Sequence, residues 1–168
     1  MSNLTNSLHK INKIIWLIGG GILVLMALLV REVVPHPISV LHQYEALPLL
    51  PPLWLLQLLW VLAYFVMGGA WLCVLWIKEG GAQHEIWRYR GSMCLVVSVL
   101  FTYVWYLLLF GTANLFLSWL CLCIALVMLL MTLLCYFRVL PLSGWALVLT
   151  VIFWGYVCLV HLVVMLHI

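Results

Sequence analysis

The stretch PLWLLQLLWVLAYFVMGGAWLCVLWI occupies residues 52–77 and contains no charged side chain. A helix of about 20 apolar residues crosses a hydrocarbon core of about 30 Å, so this stretch is long enough to span a membrane. Pro52 suits the first turn of such a helix, because its missing N–H would be unpaired there in any case. We therefore predict a membrane-spanning helix over residues 52–77.

Apolar runs of similar length occur on both sides of this stretch. Hydrophobic residues make up 68% of the 168-residue chain and charged residues only 7%, whereas a soluble domain is about half apolar and about a quarter charged. The sequence therefore predicts an all-α integral membrane protein. We expect a single five-transmembrane-helix bundle over residues 1–168, with approximate spans 14–34, 52–77, 92–110, 115–137 and 141–166.

The first apolar run resembles a secretory signal peptide at its start but not at its end. Lys10 and Lys13 precede the run, as in a signal peptide. However, the run has no small-residue cleavage site after it, and the chain continues through Arg31, Glu32 and Pro35. The run is also as long as a membrane span, so we interpret it as a retained first helix.

Four connections join the predicted helices. The first is rich in proline and suits a lid or a short helix; its polar and aromatic side chains are His36, His42, Tyr44 and Glu45. A polar loop is predicted at 78–91, a tight turn at 111–114 and a short turn at 138–141, where Pro141 stops the preceding helix. Gly19–Gly21 and Gly68–Gly69 are candidate close-contact surfaces, either within one chain or between two copies.

Basic residues are divided unequally between the two sides of a chain with five spans. The side of the N-terminus holds six of them, and the other side holds Arg31 alone; the six are Lys10, Lys13, Lys78, Arg88, Arg90 and Arg138. The positive-inside rule therefore predicts a cytoplasmic N-terminus and a C-terminus outside. The bacterial inner membrane is the expected location.

The sequence lacks the residues that several classes of transporter and enzyme require. Every Lys, Arg and Glu lies at or near the end of a predicted span, whereas proton pumps and ion-coupled transporters carry titratable groups within the membrane. The chain has no aspartate, no Ser-His-Asp set and no glycine-rich phosphate loop. Nothing in the sequence indicates a hydrolase or a kinase, and nucleic acid is not an expected partner.

His161 is the one ionisable side chain well inside an apolar run. Two interpretations stay open: a neutral histidine bonded to a helix backbone or to a neighbouring Ser or Thr, and a residue of a ligand pocket. A bis-histidine haem would need a second histidine at similar depth, but the others lie in predicted loops or at helix ends: His9, His36, His42, His84 and His167. The six cysteines lie in apolar runs, where cysteine acts as a small hydrophobe, so we predict structural thiols and no metal site.

Aromatic side chains are the remaining signal, with ten tryptophans and seven tyrosines. Some fit the membrane interface, where amphipathic rings lie at headgroup depth: Trp16, Trp54, Trp76 and Trp87. Others lie deeper in their spans: Trp60, Tyr64, Tyr103, Trp105, Trp119 and Trp154. The deeper rings either pack the bundle or line a cavity for a flat apolar ligand.

The second span also carries a family pattern. Pro51-Pro52-Leu53-Trp54 is followed by Trp60, Tyr64, Met67-Gly68 and Trp76. This order resembles the second helix of the TspO/translocator protein family, also called tryptophan-rich sensory proteins or peripheral benzodiazepine receptor-like proteins. Residues 110–111 and 137–142 resemble the end of the family's third helix and the turn before its fifth. The resemblance extends over nearly the whole chain and is densest in the second span.

Other stretches depart from the family. Residues 102–106 keep Trp105 but lack the family's asparagine and proline, and His161 stands where the family usually has asparagine. The first loop lacks tryptophan, the residue whose chemistry is proposed for light-dependent porphyrin breakdown in bacterial members. The C-terminal residues lack the aromatic and basic side chains of the family's cholesterol motif, so cholesterol recognition is not predicted.

The resemblance implies a five-helix bundle, often dimeric, in which the first loop closes a pocket. Carried over by position, the pocket residues are Leu56, Gln57, Trp60, Tyr64, Trp105, Phe153, Val157 and His161. Porphyrin or haem would be a ligand and not an obligatory cofactor, and membrane lipid the surrounding partner. The expected function is binding of a tetrapyrrole or similar flat apolar ligand in sensing, transport or stress regulation. The alternatives are a porphyrin photo-oxidising enzyme and a non-catalytic membrane assembly subunit.

Overall fold

The computed structural model describes residues 2–33, 52–76 and 82–167. This part of the chain forms five α-helices: α1 (Ser2–Val33), α2 (Leu53–Trp76), α3 (Ala82–Gly111), α4 (Leu115–Val139) and α5 (Pro141–His167). Each helix contains a segment long and apolar enough to cross a membrane. The prediction of an all-α protein with five such helices is confirmed for the described residues, and this arrangement is typical of a multi-pass membrane protein.

Neighbouring helices pack in the order α1, α2, α5, α4 and α3, and α2 also touches α3. The interior between them is filled by large, fully buried side chains: Tyr64, Met67, Leu122, Tyr136, Leu147 and Trp154. The outward faces carry exposed apolar side chains such as Leu29, Leu58, Leu134 and Leu149. An apolar outer surface suits helices surrounded by lipid tails, which are as apolar as leucine.

Helix α3 begins ten residues before the span predicted at 92–110, so the polar loop predicted there is wrong for residues 82–91. Those residues form the first turns of the helix. Arg88 donates a hydrogen bond to Glu85 at 3.2 Å, one turn away, and such a pair supports a helix. Hydropathy marks only the part of a helix that lies among lipid tails, so it misses an extension into polar surroundings.

Helix α1 likewise begins at Ser2, ahead of the span predicted at 14–34, so His9 and Lys10 lie within the helix. Its apolar segment, Lys13–Glu32, agrees with the prediction. The other predicted ends agree with the observed ones within two residues. The proline-rich first loop and residues 78–81 of the second connection lie outside the described residues.

Two short turns join the last three helices. In the first, Ala113 has a φ of 53°, which is uncommon for a residue with a Cβ. Asn114 caps α4, because its side-chain oxygen accepts a hydrogen bond from the N–H of Leu117 at 3.1 Å. Between α4 and α5 only Leu140 is non-helical, with the extended backbone typical of a residue before proline. Both turns were predicted, and the second is shorter than predicted because α4 continues to Val139.

Glycines of α1 and α2 face each other within one chain. A Cβ added at Gly19 would overlap the backbone of Gly68, and one added at Gly68 would overlap the backbone of Gly19. These two glycines therefore let the helices approach closely. A Cβ at Gly21, by contrast, would meet no atom within 4 Å. The sequence left open whether these glycines make close contacts within one chain or between two copies. In the structure, Gly19 and Gly68 make a close contact within the chain.

Candidate ligand-binding site

Seven aromatic rings from three helices meet in the interior of the bundle. They are Trp60 and Tyr64 of α2, Tyr103, Trp105 and Tyr106 of α3, and Phe153 and Trp154 of α5, and together we call them the aromatic cluster. Each ring has at least one other ring of the set within 6.3 Å, centroid to centroid. The cluster is therefore continuous from α2 through α3 to α5.

Trp154 lies at the centre of the aromatic cluster and is only 2% exposed. Its ring is perpendicular to that of Tyr64 at 6.0 Å and to that of Trp105 at 5.7 Å. It also contacts Phe153 at 5.4 Å. Edge-to-face pairs at these separations are favourable because the positive ring edge meets a negative ring face. Trp154 thus joins rings from all three helices.

Tyr64 is held in place by both a ring contact and a hydrogen bond. Its ring stacks on that of Tyr103 at 5.7 Å with an interplanar angle of 17°. Its hydroxyl donates to Oγ1 of Thr102 at 2.8 Å, and the Thr102 hydroxyl donates to the carbonyl of Val99 at 2.7 Å. This chain of two bonds satisfies the polar atoms that Tyr64 and Thr102 bring into the bundle.

His161 is buried beside the aromatic cluster with both ring nitrogens engaged. Nε1–H of Trp105 donates to Nδ1 of His161 at 3.4 Å. Because an indole nitrogen can only donate, Nδ1 accepts and the proton of the neutral imidazole is on Nε2. Nε2 lies 3.0 Å from the carbonyl oxygen of Leu115 and 3.1 Å from Oγ of Ser118. The sequence left two interpretations of His161 open. These hydrogen bonds agree with the first of them, a neutral histidine bonded to a helix backbone and to a neighbouring serine.

The hydrogen bonds of His161 limit the chemistry that it can perform. Ser118 and His161 are close enough for a nucleophile and a general base. However, Nε2 already carries a proton, and the Ser118 hydroxyl donates to the carbonyl of Leu115 at 2.9 Å. This pair is therefore not arranged to activate serine. For the same reason Nε2 does not present a lone pair to a haem iron.

Five of the eight predicted pocket residues meet in this region. Trp60, Tyr64, Trp105 and Phe153 belong to the aromatic cluster, and His161 contacts it through Trp105. The other three lie around it: Leu56 and Val157 are half-buried, and Gln57 is exposed near the start of α2.

The predicted pocket omitted Trp154, Thr102 and Ser118. Trp154 lies three residues before Val157 and seven before His161, a spacing that puts all three on one helix face. That spacing was present in the sequence. Thr102 and Ser118 carry no comparable signal, because their partners are 38 and 43 residues away.

Two polar atoms of the aromatic cluster are buried without a hydrogen-bond partner among the described residues. They are Nε1 of Trp154 and the hydroxyl of Tyr103. An unsatisfied buried donor costs free energy, and most buried polar groups are paired. An acceptor on a bound molecule would remove this cost. Six other polar atoms of the described residues, among them Nε1 of Trp71 and Nε1 of Trp119, are also buried without a partner. What distinguishes the two atoms of the cluster is that they lie among contacting aromatic rings, where they could donate to a bound molecule.

Thiols and other metal-binding side chains do not converge in the part of the chain that the structure describes. No group of three or more His, Cys, Asp or Glu is placed there to hold a metal ion. The six cysteines are free, and three of them are buried: Cys73, Cys121 and Cys135. Sγ atoms of Cys123 and Cys158 lie 3.6 Å apart, in van der Waals contact between α4 and α5.

No family model matches the chain, and no curated protein or solved structure matches it either. The resemblance of residues 51–76 to the TspO/translocator protein family therefore stays a prediction. The candidate site rests on the geometry of this chain: a continuous aromatic cluster, a hydrogen-bonded histidine beside it and two unpaired donors within it.

Proposed function

We propose that the chain is a membrane-embedded binding protein for a tetrapyrrole, such as porphyrin or haem, or a similar flat apolar ligand. The observation that carries this proposal is the pair of unpaired donors, Trp154 Nε1 and Tyr103 OH, within a continuous set of aromatic rings. We further propose a TspO-like role in sensing, transport or stress regulation, on the strength of the residues in the second span that resemble that family.

The aromatic cluster has the chemistry that a flat conjugated ligand requires. Its rings supply apolar and stacking contacts, while ligand sites typically add only a few polar groups that fix orientation. The donors of Trp154 and Tyr103 suit a carbonyl, a carboxylate or a ring nitrogen on the ligand. The combination of contacting rings with two unpaired donors supports this proposal.

His161 acts in this proposal by orienting Trp105 and not by binding iron. Its Nε2 is covered by Ser118 and Leu115, so an iron bond would require both contacts to break. We therefore expect protoporphyrin IX and haem to bind with similar affinity. A selective loss of haem binding in His161→Ala would contradict this role and indicate direct iron ligation.

The test is a titration of the purified full chain in detergent with protoporphyrin IX and with haem. Binding is followed by ligand absorbance, so that removal of a tryptophan does not change the readout. We expect saturable binding of both ligands by the wild-type chain. Absence of saturable binding by either would overturn the proposal, and protein-dependent bleaching with a defined product under illumination would reassign it to a photo-oxidising enzyme.

Trp154→Phe is the decisive variant, because it keeps an aromatic ring and removes the unpaired donor. Loss of one neutral hydrogen bond should weaken ligand binding by about fivefold. Trp145→Phe is the matched control, since Trp145 lies on the same helix, is 66% exposed and contacts Phe137 instead of the aromatic cluster. Equal affinities of the two variants would show that Trp154 does not donate to the ligand.

We also propose a cytoplasmic N-terminus and an outside C-terminus, in the bacterial inner membrane. The described basic side chains support this orientation: Lys13, Arg88, Arg90 and Arg138 lie on one side of the five-helix arrangement and Arg31 on the other, and basic residues favour the cytoplasmic side. A C-terminal reporter fusion that is active only in the cytoplasm would contradict this orientation.

A further inference from the structure

A second group of side chains lies where α3 begins and α4 ends. It consists of Trp87, Arg88 and Arg90 of α3 and Arg138 of α4, and we call it the arginine cluster. Cζ of Arg138 lies 4.4 Å from the centroid of the Trp87 ring, and Cζ of Arg90 lies 5.9 Å from the same centroid. Two helices thus bring two guanidinium groups to one indole.

The charges of the arginine cluster are only partly balanced by the described residues. Glu85 pairs with Arg88 at 3.2 Å on the same helix. No carboxylate among the described residues pairs with Arg90 or Arg138, whose side chains are both exposed. A tryptophan ring attracts a cation but does not neutralise it. Two positive charges therefore lie within 5.9 Å of the centroid of one indole ring, and an anion bound beside them would offset that charge.

The arginine cluster lies at the polar end of α3, where a membrane-spanning helix of this length would leave the hydrocarbon core. Gly91 packs against Tyr136, and Oγ1 of Thr132 donates to the carbonyl of Gly91 at 3.4 Å, so Arg90 and Arg138 lie at the same end of the α3–α4 pair. With 30 residues, α3 is about 45 Å long, compared with a hydrocarbon core of about 30 Å. Its polar first turns therefore extend beyond the core.

The surface one turn deeper is apolar and exposed. Met93 follows Arg90 by three residues and is 49% exposed, and Leu134 precedes Arg138 by four residues and is 60% exposed. Residues at these spacings share a helix face. An anion bound at Arg90 and Arg138 would thus lie above an apolar surface, as the phosphate of a lipid lies above its acyl chains.

We propose that the arginine cluster binds the phosphate of an anionic phospholipid headgroup from the surrounding bilayer. Arg90 and Arg138 donate to the phosphate oxygens, for which the planar guanidinium fork is well suited. Trp87 holds both guanidinium groups in place, and the acyl chains lie over Met93 and Leu134. A zwitterionic phosphatidylcholine brings its own cation and leaves the two arginine charges less well balanced. This proposal is independent of any ligand of the aromatic cluster.

The experiment is native mass spectrometry of the full chain released from detergent, after equilibration with equal amounts of phosphatidylglycerol and phosphatidylcholine. We expect the wild-type chain to retain phosphatidylglycerol preferentially. The double variant Arg90→Gln and Arg138→Gln should lose that preference, since each basic residue near a membrane surface contributes about fivefold to anionic lipid binding. Retention of the wild-type preference by this variant would overturn the proposal.

The matched control is Lys10→Gln combined with Lys13→Gln, which removes two positive charges from α1 and leaves the arginine cluster intact. An equal loss of preference in this control would show that overall charge, and not the cluster, selects the lipid. Displacement of phosphatidylglycerol by millimolar inorganic phosphate alone would overturn the assignment to a lipid. A thermal unfolding curve of the arginine variant, unchanged from wild type, verifies that any loss is not due to misfolding.

Discussion

The aromatic cluster and the arginine cluster differ in how their polar side chains are paired. In the interior, Tyr64, Thr102, Trp105 and His161 are joined by hydrogen bonds to other protein atoms. At the end of the bundle, Arg90 and Arg138 contact an indole ring and have no carboxylate partner among the described residues. The difference reflects the surroundings, because only the second region can be solvated by water and headgroups.

This difference decides which observation is informative in each region. In the bundle interior the unpaired Nε1 of Trp154 is informative because it lies within contacting aromatic rings, whereas the other unpaired buried atoms, except the hydroxyl of Tyr103, lie outside the aromatic cluster. At headgroup level an unpaired arginine is ordinary. There the significant feature is the convergence of two guanidinium groups from different helices on Trp87. If the comparison is correct, substitutions should affect stability strongly in the interior and weakly at the bundle end.

His161→Leu should have the largest effect. It removes the acceptor of Trp105 and leaves a buried N–H unpaired, which costs about 1–3 kcal/mol. Thermal unfolding in detergent should show a melting temperature lower by about 5 °C, given the usual scaling for a chain of this size. His161→Asn, which keeps an acceptor, should recover part of the loss. If both variants unfold like the wild type, the hydrogen bonds of His161 do not stabilise the interior.

Tyr64→Phe should have a smaller effect on stability. It removes the bond from Tyr64 to Thr102, whose hydroxyl still donates to the carbonyl of Val99, so no donor is left unpaired. The expected loss is about 1 kcal/mol in the free energy of unfolding. Denaturant or thermal unfolding measures it. An unchanged free energy of unfolding would contradict the view that hydrogen bonds between interior polar atoms stabilise the bundle.

Tyr103→Phe is the matched counterpart on the ring stacked against Tyr64. Its hydroxyl has no partner among the described residues, so its removal should leave stability unchanged or raise it by up to about 1 kcal/mol. The affinity for protoporphyrin should nevertheless fall, by about fivefold if one hydrogen bond is lost. A loss of stability as large as that of Tyr64→Phe would mean that the hydroxyl is paired within the protein.

Arg138→Gln should have the smallest effect on the fold. Arg138 is exposed and forms no ion pair with a described residue. The free energy of unfolding should therefore change by no more than its exposed contact with Trp87 contributes, about 0.5–1 kcal/mol. Porphyrin binding should also stay the same. A large loss of stability or of porphyrin affinity would contradict the claim that the arginine cluster contributes to neither property.

The five helices of the described residues could be predicted from the sequence, but two of their starts could not. Apolar runs located all five helices because the hydrocarbon core demands about 20 apolar residues from each. The starts of α1 and α3 were placed too late, since polar residues outside the core form helix without a hydropathy signal. For α3 this error separated Arg88 and Arg90 from the helix that positions them.

The candidate site was predictable in part. Trp60 and Tyr64 are four residues apart, so their contact follows from helix geometry. The spacing of Trp154 and His161 indicates one shared face of α5 in the same way. The bond of Tyr64 to Thr102 and the contacts of His161 with Ser118 and Leu115 join residues far apart in sequence. No local pattern indicates such partners.

The sequence by itself determined that this chain forms apolar helices long enough to cross a membrane, where their apolar segments lie and which rings share a face of one helix. These properties depend on composition and on spacing along one helix. Tertiary structure alone decided that Gly19 meets Gly68 within the chain, that Trp154 joins rings of three helices and that Trp87 meets arginines of two. Lipid tails solvate an apolar side chain as well as a neighbouring helix does, so hydrophobicity cannot choose the contacts between helices. Close packing and the pairing of buried polar atoms choose them, and both exist only when the helices are assembled.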